Sequence, residues 1–268
     1  VPEGPEVKRI VDRLQEELVG QQLKSVDIIS GRYENHDPPR GYEDFIKALP
    51  AKIIDVQCKG KFIFMRFNNG YSLWNTLGMS GFWSEKKYKH ARVSLALSNK
   101  HVYFCDTRNF GTLKFVKGRK QLIEKLDTLG PDMLSEEVSD ELFLGRLRKK
   151  NTRTIVEAIM DQKVVSGVGN YLKSESLYLA EISPHTRVEN ISDDRLKILK
   201  QSIQTTIQSS YISGGATIHT FLDYDGQEGK YSRRFAVYNQ KYDLKNRDVI
   251  RETTKDGRTT FWVPERQK

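Results

Sequence analysis

The chain opens Val-Pro-Glu-Gly-Pro-Glu-Val, which puts Pro2, Glu3 and Glu6 within a few residues of one another. A proline at a free N-terminus is a secondary amine with a pKa of about 8, close enough to neutrality to act as a nucleophile. Such an amine can attack a carbon like a sugar C1′ and form an imine, which few side chains do without special desolvation. A neighbouring carboxylate supplies general acid or base chemistry. The same residues also suit an ordinary helix start, with proline in the first turn and carboxylates at the positive end of the dipole. Val1 stands ahead of Pro2. Behind a peptide bond the proline nitrogen is a tertiary amide, and the Val1 amine lies one Cα step, about 3.8 Å, from the intended position. A displacement of that size is expected to cost orders of magnitude in rate. A chain that begins at Pro2 therefore offers such a secondary amine, and one with Val1 ahead of it does not.

Other residues of suitable type recur along the chain. Lys61 precedes an apolar run, where an ammonium can reach a phosphate or sugar. Met79 lies in a glycine-flanked loop, and Arg108 and Phe110 lie between two strand-like runs. An apolar wedge with an arginine beside it can fill the space left by a flipped nucleotide; core packing and a surface turn are the plainer readings. Gly167, Gly169 and Asn170 precede a helical pattern, where glycines permit close backbone approach and a helix N-terminus offers N–H groups to phosphate. Lys163 adds charge just upstream. Arg258 sits in Asp256-Gly257-Arg258, a hairpin-turn pattern whose arginine can reach phosphate oxygens.

The elements that must hold these groups follow from periodicity. Val7, Ile10, Val11, Leu14 and Leu18 give a helix over 6–19, stopped by Gly20. Short β-type runs follow at 53–57, 62–67, 71–74, 93–97 and 102–105, with a turn at Asn68-Asn69-Gly70. Past Leu129-Gly130-Pro131-Asp132 the pattern becomes helical at 142–148, 154–160, 171–180 and 193–211, and 235–263 reads as a hairpin with a polar loop. The expected fold is α+β: an N-terminal β-sandwich with flanking helices, then a helical domain ending in a β-hairpin.

At 268 residues the chain can build more than one core. Its formal charge is +9, and residues 230–268 hold eleven Lys/Arg against five Asp/Glu, so +6 of that excess lies near one end. A basic stripe of this kind suits phosphate contacts. Two cysteines, Cys58 and Cys105, exclude a disulfide framework and a four-cysteine zinc site, and the five histidines show no ligand spacing. No metal or cofactor is expected. No apolar run approaches a membrane span, and the opening residues do not read as a secretory signal, which predicts an intracellular protein of nucleus or cytoplasm.

Taken in order, the motifs resemble the formamidopyrimidine-DNA glycosylase / endonuclease VIII family. Pro2-Glu3-Gly4-Pro5-Glu6-Val7 is similar to its opening, Lys59-Gly60-Lys61-Phe62 to its catalytic-lysine loop, and Leu77-Gly78-Met79-Ser80-Gly81 to its LGMSG loop. Asp106-Thr107-Arg108-Asn109-Phe110-Gly111 resembles DPRRFG, with Thr107 and Asn109 departing from it, and Leu129-Gly130-Pro131-Asp132 resembles the inter-domain LGPE. Asp161-Gln162-Lys163 and Gly167-Val168-Gly169-Asn170-Tyr171 resemble the helix-two-turn-helix core, and Gly257-Arg258-Thr259-Thr260-Phe261 the finger's arginine turn.

The resemblance implies a bifunctional DNA glycosylase/AP lyase of base excision repair. Pro2, Glu3, Glu6 and Lys61 would be catalytic; Lys163, Gly169, Asn170 and Arg258 would bind DNA; Met79, Arg108 and Phe110 would fill the void. The partner would be duplex DNA carrying an oxidised base or abasic site, with single-stranded DNA as an alternative, bound by a monomer. The family's four finger cysteines are absent, which points to the zincless-finger branch of eukaryotes and large DNA viruses and to oxidised pyrimidines. Residues 214–238, however, also resemble the purine-reading loop. Packing by Phe235, Tyr238, Phe261 and Trp262 would replace the metal. The implied domains are 1–130 (catalytic), 131–150 (linker and first helix), 151–224 (helix-two-turn-helix) and 225–268 (lesion loop and finger).

Overall fold

The computed structural model describes residues 2–218 and 223–268; Val1 and part of the 214–238 stretch lie outside the described residues. The chain divides into two compact units. One comprises Pro2, Glu6–Asp127 and the described part of Gly214–Gly229. The other comprises Glu3–Pro5, Thr128–Ser213 and Lys230–Lys268.

In the first unit, helix α1 (Gly4–Leu18) buries Val7, Ile10, Val11, Leu14 and Leu18, the stripe set by helical periodicity. Gly20, at φ +87°, turns the chain into the first strand. The strands are β1 (Gln22–Ile28), β2 (Ala51–Lys59), β3 (Phe62–Phe67), β4 (Tyr71–Thr76), β5 (Gly81–Ser84), β6 (Ala91–Leu97), β7 (His101–Asp106) and β8 (Thr112–Lys117). Short helices α2 (Arg32–Asn35) and α3 (Tyr42–Lys47) bridge β1 to β2, and α4 (Arg119–Asp127) follows β8.

The strand order is β5-β7-β6-β1-β2-β3-β4-β8, every pair antiparallel. The two halves join through Gln22↔Lys52 and Leu23↔Ala51, a short pairing beside register shifts in β1 and β2. Bulges of this kind bend a sheet, and here they let it fold over itself as a sandwich. Trp83 of β5 and Asn75 of β4, far apart in strand order, meet in a buried hydrogen bond of 2.9 Å. One core holds Val93, Leu95 and Phe104 from one half with Ile63, Met65 and Leu73 from the other.

The second unit is helical. It contains α5 (Asp140–Arg148), α6 (Ile155–Met160), α7 (Asn170–Leu179) and α8 (Asp193–Ile212), then a hairpin of β9 (Ile250–Thr253) and β10 (Thr259–Trp262). Ser139 and Ser192 cap α5 and α8, and Thr154 with Glu157 forms a capping box on α6. Helix α7 is the centre: Tyr171 to Tyr178 are all buried.

The hairpin is shorter than the 235–263 expected from sequence. Between residues 235 and 249 the chain makes turns and one isolated bridge, Tyr242↔Asp248, rather than a ladder, and carboxylates take several of its backbone N–H groups. Glu175 accepts N–H bonds from Ala236, Val237 and Tyr238, and Asp243 accepts those of Lys245 and Arg247. Among the described residues no helix is long and apolar enough to cross a membrane.

Candidate active site

Within the helical unit the first turn of α7 gathers several of the expected residues. Gly169 precedes the helix without a capping side chain of its own. Glu3 takes that role: its Oε1 accepts the N–H of Tyr171 at 3.0 Å and its Oε2 that of Leu172 at 3.3 Å. The carboxylate thus satisfies N–H groups that a helix start leaves open and sits at the positive end of the dipole. A Cβ on Gly169 would stand 2.2 Å from Glu3 Cδ, so only glycine leaves room for this cap. The next residues are held as well, since the Gly4 N–H donates to Gly167 O at 2.9 Å. Gln162 shapes the loop from inside, accepting the Gly167 N–H at 3.0 Å and donating to Val168 O at 2.9 Å.

Asn170 does not cap α7; its Nδ2 donates to Thr259 O at 2.8 Å and ties the helix to β10. Arg258, exposed at the tip of the β9–β10 turn, is carried by that same strand. Lys163 is exposed in the turn after α6. Its N–H donates to Asp161 Oδ1 at 2.9 Å, and its carbonyl accepts from Arg146 at 3.2 Å. Glu3, Gly169, Asn170 and the Arg258 turn therefore share one platform, and Lys163 projects from a neighbouring turn.

The finger is pinned without cysteine. Phe235 meets Tyr238 edge-on at 5.2 Å between centroids, and Tyr238 meets Phe261 at a tilt at 5.0 Å, the latter two packing with Tyr178, Ala236, Val237 and Val263. Trp262 instead meets His185 edge-on and donates to Glu252 at 2.6 Å. The larger anchors are polar. Glu175, 3 % exposed, holds three backbone N–H groups, and burial pushes its carboxyl above the ordinary range. Asp243 gathers Tyr178 Oη and the Arg247 guanidinium besides its two backbone donors. Burial opposes its charge, but these donors prevail and hold it down to about 2. None of these acids stands out in the sequence, because nothing local marks Glu175 or Asp243 as buried.

Within the β-sandwich unit, Pro2 is buried at the head of the chain, joined directly to Glu3. Glu6 is fully buried, and its Oε1 accepts the Ala216 N–H at 2.7 Å. Lys61 lies half-buried in the turn joining β2 to β3, where Lys59 pairs with Phe62 across Gly60-Lys61. Gly60, at φ +57°, is the glycine that a two-residue hairpin turn of this type needs at its first position.

Met79 lies between β4 and β5, and Arg108 and Phe110 lie between β7 and β8. The fold brings these two loops together. Asp106, 1 % exposed, accepts Ser80 Oγ at 2.5 Å and the Arg108 N–H at 3.2 Å on one oxygen, and the Gly111 N–H at 2.7 Å on the other. Gly78 backs onto the main chain of Phe110, where a Cβ would sit at 2.6 Å. Asn109 adopts φ +56°, a conformation asparagine tolerates, and so presents its neighbours outward. Phe110 is 53 % exposed with the Arg108 guanidinium 4.9 Å above its ring. An exposed aromatic, an arginine and a methionine thus lie on two loops that Asp106 ties together. Asp106 is the residue that sequence reasoning passed over, although it heads the block containing Arg108 and Phe110.

Among the described residues no group of His, Cys, Asp or Glu could hold a metal ion.

Comparison with known proteins agrees with this arrangement. A family model described as "Formamidopyrimidine-DNA glycosylase N-terminal domain" matches residues 1–113, and one described as "Formamidopyrimidine-DNA glycosylase H2TH domain" matches residues 129–222. The formamidopyrimidine-DNA glycosylase of Rickettsia massiliae is 31 % identical over 98 % of this chain and 95 % of its own length. That of Prochlorococcus marinus is 31 % identical over 100 % of both. Among solved structures, the MutM (Fpg) protein of Thermus thermophilus superposes with a TM-score of 0.87 at 28 % identity, over 99 % of this chain and 98 % of that one. A mutant Fpg of Lactococcus lactis in complex with a Fapy-dG containing DNA gives 0.88 at 25 % identity, over 100 % of both. With the sandwich, the helical unit and the tied loops all in place, the chain belongs to the formamidopyrimidine-DNA glycosylase family.

Proposed function

We propose that this protein is a DNA glycosylase and AP lyase of base excision repair that works, inside the cell, on duplex DNA with an oxidised base or an abasic site. The observation that carries the reading is the fixed carboxylate of Glu3, joined directly to Pro2 and held by the Tyr171 and Leu172 N–H groups. A nucleophile and an acid/base group with so little freedom between them meet the demand for a near-attack arrangement.

In the chain that begins at Pro2, the Pro2 nitrogen attacks C1′, the N–C1′ bond forms, the nitrogen gives up its proton, and the base leaves with its glycosidic electron pair and a proton. Glu3 manages the protons at this step. Loss of the ring-oxygen bond gives an iminium at C1′. Removal of a C2′ proton expels one flanking phosphate, and a second elimination expels the other, after which water releases the sugar remnant. Glu6 and Lys61 play supporting roles, with Lys61 meeting phosphate. Lys163, Gly169, Asn170 and Arg258 bind the backbone, and Met79, Arg108 and Phe110 fill the space of the flipped nucleotide. Catalysis resides in 1–130 and DNA binding in 151–224 and 225–268, joined through 131–150, in a monomer.

A finger braced by Glu175 and Asp243 rather than by cysteines supports placement in the zincless branch, and with it a preference for oxidised pyrimidines. Side-by-side excision of thymine glycol and 8-oxoguanine tests that preference. Borohydride trapping on abasic DNA tests the chemistry: the chain beginning at Pro2 gives a covalent adduct, and the chain with Val1 ahead of it does not, because its proline nitrogen is an amide. No adduct from the Pro2-first chain refutes the catalytic reading. Binding without trapping in that chain would favour a silent damaged-DNA binder.

A further inference from the structure

Lys173 is an unexpected residue for the middle of a helix that is buried on every side. Its side chain is 0 % exposed, and its ammonium meets Asp256 Oδ2 at 2.6 Å, with the Asp256 side chain 3 % exposed. Burial pulls the Lys173 ammonium down while Asp256 opposes that shift. A lysine so placed cannot itself reach DNA, and replacing a buried ion pair by apolar groups is often neutral or favourable for stability. Its presence calls for a reason other than stability.

The geometry supplies one. Asp256 is the acceptor on which the Arg258 turn is built. Its Oδ1 receives Thr254 Oγ1 at 2.6 Å and the Arg258 N–H at 3.4 Å, while the Thr254 N–H donates to Arg258 O at 3.0 Å. Gly257 completes the turn at φ +73°. The other oxygen of Asp256 goes to Lys173, the residue directly after Leu172, whose N–H is held by Glu3. One turn of α7 therefore fixes the Glu3 carboxylate through its N–H groups, β10 through Asn170, and the Arg258 turn through Lys173.

We propose that Lys173 is a positioning residue that works through Asp256 to aim Arg258 at a DNA phosphate. The pair acts as a strut. Without Lys173, Asp256 becomes a buried carboxylate lacking its counter-charge, which must reach water or a new partner, and the turn built on it moves with it. Thr254 and Thr260, whose hydroxyls lie 2.6 Å apart, tie the foot of the turn to β10, so the displacement is confined to the tip beyond them that carries Arg258.

This inference rests on the reading of Arg258 as a DNA-contacting residue. It is tested by equilibrium binding of the full chain to a duplex with a tetrahydrofuran abasic analogue over a range of salt. The proteins are the parent, Lys173→Met, Asp256→Asn, Arg258→Ala and the Lys173→Met/Arg258→Ala double variant. Arg258→Ala should weaken binding on the order of tenfold and lower the salt slope by about one unit, the mark of a lost phosphate contact. Lys173→Met should do the same although the lysine is fully buried, and the double variant should bind no more weakly than Arg258→Ala alone. Asp256→Asn, nearly isosteric, repeats the effect should Lys173→Met fold poorly.

A wholly structural role would lower the melting temperature and leave the salt slope at the parent value. That result, or losses from Lys173→Met and Arg258→Ala that multiply, overturns the inference. A parent that fails to bind the abasic duplex overturns the DNA reading, and the inference with it.

Discussion

Glu3 and Tyr171 stand 168 residues apart in sequence, yet the carboxylate of one accepts the N–H of the other at 3.0 Å. The side chain next to Pro2 is thus held by a helix far along the chain. Replacing Gly169 by alanine attacks this relationship from outside the chemistry. Gly169 has φ −129°, extended backbone that any residue adopts, so the added Cβ acts only by taking the space of Glu3 Cδ. Gly169→Ala should slow base excision by roughly 10²–10⁴-fold, the range for a displaced acid/base group, and Glu3→Gln should match it. Single-turnover excision measures both. A Gly169→Ala enzyme as fast as its parent would show that the fixed carboxylate is not needed.

The two loops that carry Met79, Arg108 and Phe110 depend on a buried acid. Asp106→Ala removes the acceptor of Ser80 Oγ and of the Gly111 N–H, while the Arg108 N–H keeps Ser80 Oγ at 2.9 Å. An orphaned buried donor costs about 1–3 kcal/mol, so the variant should lose about that much stability through the Gly111 N–H. Its affinity for abasic duplex should fall with it, because the loops that carry Met79 and Arg108 are no longer tied through Asp106. Denaturant melts and binding isotherms check the two effects separately.

Much of this arrangement is legible in the sequence. The stripe from Val7 to Leu18 dictates α1, and the runs at 62–67 and 71–74 with Asn68-Asn69-Gly70 between them dictate the β3–β4 hairpin. The loops of Met79, Arg108 and Phe110 and the α7 platform follow from ordered motifs. What could not be read is which polar residues are buried. Lys173, Glu175, Asp106, Asp243 and Asp256 look like ordinary surface charges until the chain is folded, because their partners are backbone groups or residues remote in sequence. The finger shows the consequence: the sequence marks a hairpin with a polar loop over 235–263, whereas the strands are only Ile250–Thr253 and Thr259–Trp262, and Glu175 and Asp243 capture backbone N–H groups of the loop before them.

Chelators should leave this protein unaffected. Cys58 lies in β2 and Cys105 in β7, so the finger contains no cysteine, and its fold is secured by Glu175, Asp243 and the Tyr238–Phe261 contact. Incubation with a strong zinc chelator should change neither the melting temperature nor DNA binding. Glu175→Ala should do what chelation cannot: by orphaning the N–H groups of Ala236, Val237 and Tyr238 it should cost about 3 kcal/mol and loosen residues 235–249. A melting temperature that drops on chelation would mean that a metal braces the fold after all.

The finger should also carry its own acid sensitivity. Asp243 is held down to about 2 by Arg247, two backbone N–H groups and Tyr178, against burial, and an aspartate in the unfolded chain titrates near 3.9. Its folded pKa is depressed, so its contribution to stability is present above about pH 4 and is lost as pH falls towards 2. Glu175 runs the other way. Burial raises its pKa, so its contribution is present below the ordinary glutamate range and is lost as pH rises through the folded value. The two are separated by Asp243→Asn, which cannot offer charged acceptors to Arg247 at any pH. Hydrogen-exchange protection of residues 235–263, corrected for intrinsic rates, should fall between pH 4 and pH 2 in the parent. In Asp243→Asn it should start lower and lose less over the same window. If the variant loses as much protection as the parent, the acid sensitivity of the finger arises elsewhere than at Asp243.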